Sequence, residues 1–205
     1  RFGLFLGVVF FACWSGFMFV LALTLQGGAG YTPGQSGDAF VTLGAAYFVA
    51  SLFSARLVAL LGKVATLILG CAIQMTGLVG LMLTLKWVWP QPGVLNLLPA
   101  TVLIGIGQAF IVSCFFRIGL SDVPAEQAGA GSSMLSTIQQ TAFGLGSALL
   151  GTVFAQSLRH FASYLDGALA ALIAELGLML LLTVCAVAYQ QRQRRLVLAA
   201  SPCPG

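Results

Sequence analysis

The feature that most limits how this chain can fold is a series of six long apolar segments that nearly fill its 205 residues. A helix needs about 20 mostly apolar residues to cross a hydrocarbon core roughly 30 Å thick. We place these segments at residues 2–25, 38–61, 64–85, 95–116, 128–154 and 168–189. Only 7% of the residues are charged, whereas soluble domains carry roughly a quarter. The sequence therefore predicts an all-α protein of six transmembrane helices, with the lipid bilayer as its first partner.

The basic residues are distributed unequally between the two sides that six spans define. One side carries Arg1, Arg56, Lys63, Arg117, Arg192, Arg194 and Arg195, and the other carries Lys86 and Arg159. Cytoplasmic loops are enriched in Lys and Arg, so we expect both ends of this segment, including a basic tail at 191–205, to be cytoplasmic. The same asymmetry accounts for the pI near 9.0, which is therefore no evidence of nucleic-acid binding.

The composition also bears on the class of protein. Five cysteines show no C-x-x-C spacing and no Cys/His cluster, so neither a metal site nor a disulfide framework is expected. No catalytic arrangement of Ser, His and acid is visible, and nothing favours an enzyme. The chain begins at Arg1 without a methionine, which is typical of a piece of a longer polypeptide.

Two loops share a short pattern that indicates an internal repeat. Pro33-Gly34-Gln35-Ser36-Gly37 follows the first span, and Pro124-Ala125-Glu126-Gln127-Ala128-Gly129 follows the fourth. Three spans separate them, so they lie on opposite sides of the membrane, as a three-plus-three inverted repeat requires. A chance match explains the similarity equally well.

Polar side chains are concentrated in the fourth and fifth spans. Gln139 and Gln140 are neighbours that diverge by about 100° around a helix, so we expect one to face a cavity and the other a neighbouring helix. Interhelical packing explains the pair equally well. Gln108 follows Gly105 and Gly107 near mid-membrane, where glycines permit close helix contact or a bend. An unpaired amide in hydrocarbon is costly, which favours a cavity-facing Gln108.

Acidic residues decide whether the segment can carry a proton. Asp38 and Asp122 look like helix-start residues. Glu175 is the one carboxylate inside an apolar run, and it is either a proton carrier or a side chain that reaches toward the outer interface. We favour the interface, and on that reading the segment has no convincing proton site. Arg56 can snorkel to the cytoplasmic face, as an anchor or a gate residue.

Several motifs in this order resemble the major facilitator superfamily, and within it the fourteen-helix drug:proton antiporters of the EmrB/QacA type. The matching pieces are Leu25-Gln26 with Gly30-Tyr31-Thr32-Pro33 and Gly37; Ala55-Arg56-Leu57 with Gly62-Lys63 and Gly70; Gly105-Ile106-Gly107 with Val123-Pro124 and Gly129 to Ser133; and Gln139-Gln140 with Gly144-Leu145-Gly146 and Gly151. Together they cover essentially the whole chain.

The resemblance implies that the chain is the C-terminal six-helix half of a major facilitator fold. In that fold the first, second, fourth and fifth helices of a bundle face the central cavity, and the third and sixth face outward. Gln74 and Glu175 lie on the third and sixth spans, so the resemblance makes them weaker candidates for a functional site. The implied cavity lining is Trp14, Ser15, Tyr47, Phe48, Gln108, Ser113, Gln139 and Gln140. The implied gating or cytoplasmic-turn residues are Arg56, Lys63 and Asp122.

The sequence also departs from the family pattern. Leu60 and Leu61 replace the polar residues usual in the cytoplasmic turn, which puts a gating ion pair in doubt. Ile138 stands where the family often has Arg, and the embedded acids often used for proton coupling are absent.

These observations favour one half of a proton-driven exporter of small hydrophobic compounds, which rocks against a missing N-terminal half in the cell (inner) membrane. The proton gradient is then the energy source, and no cofactor is expected. Two alternatives stay open: a half-size carrier that dimerises, and a non-transport membrane subunit that binds a partner.

Overall fold

A computed structural model of the chain describes the backbone of residues 2–119 and 128–200, with side-chain surroundings at 7–118, 129–188 and 190–192. The helices are α1 (Phe2–Leu23), α2 (Pro33–Leu61), α3 (Lys63–Val88), α4 (Val94–Gly119), α5 (Ala128–Phe161) and α6 (Tyr164–Ala200), and a π-helical turn (Thr24–Gly28) continues α1. No strand occurs in these ranges. All six helices are long and apolar enough to cross a membrane, which confirms the predicted fold class.

The first turn of α2 lies earlier in the chain than the sequence analysis placed it. Thr32, not Asp38, is the N-cap: its hydroxyl accepts from the Gln35 N–H at 3.3 Å, and the Gln35 side chain accepts from the Thr32 N–H at 3.0 Å. This capping box, with Pro33 at the first helical position, stabilises the start of the helix more than the following glycines destabilise it. Asp38 is consequently an exposed residue within the helix.

The helices pack as two triplets in one repeated pattern. α1 packs on α5 and α6, α4 packs on α2 and α3, and α3 packs against α6. Exchanging α1–α3 for α4–α6 leaves this pattern of neighbours unchanged, as expected of a three-plus-three repeat. Of the two loops that first indicated the repeat, the one with Pro124 lies outside the described residues.

Glycines let the closest helix pairs approach until their backbones touch. A Cβ on Gly146 of α5 would lie 1.8 Å from the Ala12 carbonyl oxygen of α1, and a Cβ on Gly107 of α4 would lie 2.7 Å from the Gln74 backbone nitrogen of α3. Only glycine permits such contacts. The Gly-x-Gly segment before Gln108 therefore serves close helix packing.

Two apolar clusters fill the centre of the bundle at different depths. The Cys71 cluster consists of Phe10, Phe11, Cys13, Leu67, Cys71, Ile111, Cys114, Phe115, Leu135, Ala142, Met179, Leu182 and Ala186. The Leu78 cluster consists of Phe17, Leu21, Leu25, Ala39, Leu43, Leu78, Leu81, Leu85, Leu97, Ala100, Ile104 and Leu172. The level between the two clusters is where the polar core residues lie.

Candidate functional site

One face of α5 exposes a row of polar side chains, which we call the α5 stripe. Its members are Ser133, Ser136, Thr137, Gln140, Thr141 and Thr152, all exposed. The first five recur at the three- and four-residue spacing that places side chains on one face of a helix, and Thr152 lies about three turns further along the same face. The opposite face of α5 is buried against α1 and α6 through apolar residues such as Leu135 and Leu150.

The hydroxyls of Ser133, Thr137, Thr141 and Thr152 are bonded within their own helix. Thr137 donates to the Ser133 carbonyl at 3.0 Å, Thr141 donates to the Thr137 carbonyl at 2.9 Å, and Thr152 donates to the Ala148 carbonyl at 2.7 Å. Each oxygen keeps acceptor capacity, because a hydroxyl has two lone pairs as well as one proton to give. The stripe can therefore accept hydrogen bonds without breaking any contact that holds the bundle together.

The two neighbouring glutamines have different surroundings. Gln139 is half-buried and Gln140 is exposed. Ser15 of α1 is half-buried and donates to the Phe143 carbonyl of α5 at 2.7 Å. The Ser15 proton is therefore already used in joining α1 to α5.

The remaining residues proposed for the cavity from the resemblance lie on three helices. Trp14 is half-buried, with its ring centroid 5.8 Å from that of Phe17. Tyr47 is half-buried and Phe48 is 64% exposed, both on α2. Ser113 of α4 is half-buried.

An open apolar groove runs between α2 and α4. Its lining includes Ala46, Val49, Phe53, Val102 and Phe110. The hydroxyls of Thr42 and Thr101 meet across its edge at 2.8 Å. The two helices thus present a surface that is almost wholly hydrocarbon, in contrast to the α5 stripe.

Two of the three residues predicted for gating lie at the same end of the bundle. Arg56 is exposed on α2, and Lys63, also exposed, donates to the Arg117 carbonyl at 3.4 Å. This bond ties the first residue of α3 to the last part of α4. Asp122 lies outside the described residues.

Three polar side chains lie deep inside the bundle, and we call them the polar layer: Gln74, Gln108 and Glu175. Gln74 and Glu175 have no exposed surface, and Gln108 is 3% exposed. The expectation that Glu175 reaches toward the outer interface is wrong. Glu175 shares a helix face with Leu172 and Met179, and that face packs inward. Gln74 likewise points into the bundle and not outward from it.

The members of the polar layer lie at one level, between the two apolar clusters. On each helix one member separates a residue of the Cys71 cluster from a residue of the Leu78 cluster: Gln74 between Cys71 and Leu78, Gln108 between Ile111 and Ile104, and Glu175 between Met179 and Leu172. Helices α3, α4 and α6 therefore each bring one polar group to the same cross-section. Cys13 of α1 belongs to the Cys71 cluster and lies on a helix that packs against α6.

These buried groups lack hydrogen bonds. Both oxygens of Glu175, both polar atoms of the Gln74 amide and the Gln108 Oε1 have no partner within the described part of the chain. A buried polar group without a partner costs free energy, so this cluster requires a physical explanation that the α5 stripe does not.

Relatives of known type cover most of the chain, although no protein-family model matches it. It is 33% identical over 164 residues to the probable actinorhodin transporter of Streptomyces coelicolor, which covers 74% of this chain and 26% of the relative. It is 34% identical over 139 residues to the puromycin resistance protein pur8 of Streptomyces alboniger (67% of this chain, 27% of the relative). It is 29% identical over 147 residues to the multidrug resistance protein Stp of Mycobacterium tuberculosis (72% and 26%).

The six apolar helices define a multi-pass membrane protein, and its relatives are named as transporters or resistance proteins and not as enzymes. The chain is homologous to the drug transporters of the major facilitator superfamily, which confirms the resemblance carried by its motifs. It spans about a quarter of the length of these relatives.

Proposed function

We propose that the chain is the C-terminal six-helix half of a secondary transporter that exports hydrophobic drugs or metabolites by alternating access. A proton gradient is the proposed energy source, and an N-terminal half is the proposed partner. The proposal places Trp14, Tyr47, Phe48, Ser113, Gln139 and Gln140 at the substrate cavity, with Ser15 and the buried Gln108 as packing neighbours of it.

The observation that carries the proposal is the exposed α5 stripe. Polar side chains in a membrane-spanning helix face other protein or water and not lipid, because hydrocarbon gives them no partner. In this bundle the stripe faces no other helix, since α1 and α6 cover the opposite face of α5. A second bundle across a water-accessible cavity supplies the environment that the stripe requires.

The helices are enclosed to different extents, which supports a partner on the side of the bundle where the α5 stripe lies. The most apolar 18-residue windows of α2 and α5 are each 22% buried, against 61% for that of α4. α2 and α5 are also equivalent in the repeated packing pattern. We propose that both contact the N-terminal half, and that the end with Arg56, Lys63 and Arg117 is cytoplasmic, in accord with the positive-inside rule.

A matched pair of threonines tests the assignment of the α5 face. Thr141 on α5 and Thr76 on α3 are both exposed, and each donates to the carbonyl one turn before it at 2.9 Å. The experiment expresses the complete reading frame that contains this chain in a drug-sensitive bacterium and measures growth in puromycin and in a hydrophobic cationic dye. We expect resistance from the parent protein, its loss in Thr141→Trp and its retention in Thr76→Trp.

The other outcomes separate the alternatives. Resistance given by the 205-residue chain alone would establish a dimerising half-size carrier and overturn the proposal. No resistance or efflux from the complete frame, with both proteins present in the membrane, would favour a non-transport subunit. Full resistance in Thr141→Trp would remove the α5 stripe from the cavity.

A further inference from the structure

The polar layer contains one titratable group in an environment that offers its charge no compensation. Helices α1, α3 and α5 pack against α6. The titratable groups they carry in the described range are Cys13 on α1, Lys63, Cys71 and Lys86 on α3, and Arg159 and His160 on α5. Both lysines, Arg159 and His160 are exposed at helix ends, so the thiols of Cys13 and Cys71 are the titratable side chains that these three helices bring near mid-bundle. On α6 itself, Asp166 and Arg192 are exposed and Cys185 is half-buried. Neither thiol can neutralise a carboxylate.

An ionised Glu175 would therefore be an unpaired buried charge in this packing. Removing a charge from water without a counter-ion is among the most costly changes in a protein interior. Neither carboxyl oxygen accepts a hydrogen bond, although a buried carboxylate normally needs several donors. The packed bundle is compatible with the neutral carboxylic acid, which needs one acceptor for its O–H and one donor for its C=O.

The other members of the polar layer also hold unpartnered polar atoms. The Oε1 atoms of Gln74 and Gln108 are both unpartnered acceptors, and the Gln74 Nε2 is an unpartnered donor. All lie at the level of Glu175, between the Cys71 and Leu78 clusters. Neither amide carries a charge that could balance an ionised Glu175.

We propose that Glu175 is a proton-exchange site in the core of the bundle, neutral while α6 packs on α3 and ionised when these helices separate enough to admit water. In the forward step the carboxyl O–H bond breaks, its electron pair stays on the oxygen, and the proton passes to an entering water molecule. Uptake of a proton from water reverses the step, and no oxidation or reduction occurs. Coupling to transport rests on the function proposed above.

Helix packing provides the physical route from this site to the substrate. α6 packs on α3, α3 packs on α4, and α4 packs on α2, which carries the exposed Phe48. Separation of α6 from α3 when Glu175 loses its proton therefore alters the support of the helices that lead to the cavity. The acid is thereby coupled to the cavity without touching the substrate.

Infrared spectroscopy of the 205-residue chain in lipid bilayers tests the protonation state directly. We expect a C=O band of a protonated carboxyl group at neutral pH that disappears in Glu175→Gln and persists in Asp166→Asn, whose carboxyl group is exposed. Glu175→Gln should keep the melting temperature of the parent chain, because the amide resembles the neutral acid in shape and charge. Absence of the band at neutral pH, or a large loss of stability in Glu175→Gln, would show a paired carboxylate and overturn the proposal.

Two further experiments test whether the site binds a proton or a metal cation, and whether it is coupled to transport. If sodium ions at constant pH abolish the band in the parent chain, the site binds a metal cation and the proton assignment is wrong. In the complete transporter, Glu175→Gln should lose uphill, gradient-driven export and keep downhill drug exchange. Unchanged uphill export would refute the coupling even with the band present, whereas absence of transport by the parent protein would refute the proposed function and leave the infrared result standing.

Discussion

The α5 stripe and the polar layer are the two polar regions of an otherwise apolar bundle, and they differ in how their groups are satisfied. Three threonines of the stripe donate to carbonyls of α5 itself. The Gln74 amide, the Gln108 Oε1 and the Glu175 carboxyl group have no such bonds. A hydroxyl is thus independent of neighbouring helices, whereas an enclosed amide or acid depends on what other helices bring to it.

This difference separates two roles for polarity within a membrane. The stripe can face a changing environment, since its hydrogen bonds move with the helix. The polar layer depends on α3, α4 and α6 together, since its unpartnered atoms have no bond within their own helices. Recognition suits the first arrangement, and sensing of helix position suits the second.

The largest expected effect tests whether α5 really has two unlike faces. Gly144 and Gly146 lie two residues apart, yet a Cβ on Gly144 would meet nothing within 4 Å, whereas one on Gly146 would lie 1.8 Å from the Ala12 carbonyl oxygen. We expect Gly146→Ala to destabilise the bundle by about 1–3 kcal/mol. Gly144→Ala should be neutral or gain up to about 1 kcal/mol from helix propensity. Thermal unfolding in detergent measures both, and equal melting temperatures would contradict the close α1–α5 contact.

An intermediate effect of opposite sign is expected in the polar layer. Gln74→Leu removes a fully buried amide whose two polar atoms lack partners, so we expect the free energy of unfolding to rise by about 1–2 kcal/mol. The matched change Gln140→Leu on the stripe should alter it by less than about 0.5 kcal/mol. Drug export by the complete protein should fall in Gln74→Leu despite the added stability. A lower melting temperature for Gln74→Leu would show that the amide is bonded.

The smallest effects distinguish a hydroxyl that joins two helices from one that does not. Ser15→Ala removes the bond to the Phe143 carbonyl and should cost about 0.6 kcal/mol, the average for such bonds in a membrane protein. Thr141→Val removes a bond within α5 and should leave the melting temperature unchanged. If both changes cost the same, the distinction between self-contained and cross-helix hydroxyls does not hold.

The sequence predicted the number of helices because length and hydropathy decide that question almost alone. It misplaced the start of α2, since a capping box around Thr32 and Gln35 was hidden within a run of glycines. It also predicted the wrong surroundings for Glu175. In a helix that is apolar on all sides, no contrast between faces shows which one is buried.

The spacing of Leu172, Glu175 and Met179 was visible in the sequence, but it could not be distinguished from a lipid-facing row. The partners of α6 decide the matter, and they come from α1 and α3, which are distant in sequence. The contact of Gly107 with Gln74 is similarly non-local. The role of glycine there could be narrowed to a close contact or a bend, and only the packed structure distinguishes the two.

The repeated packing pattern has a consequence for how the bundle changes shape. Exchange of the triplets carries α3 onto α6, and Gln74 and Glu175 stand at the same offset from the first residues of these helices, Lys63 and Tyr164. The two side chains are nearly isosteric and differ in one terminal group, NH₂ against OH or O⁻. The two triplets therefore match in shape at this pair of positions and differ in chemistry. Of the two side chains, only that of Glu175 can gain or lose a charge.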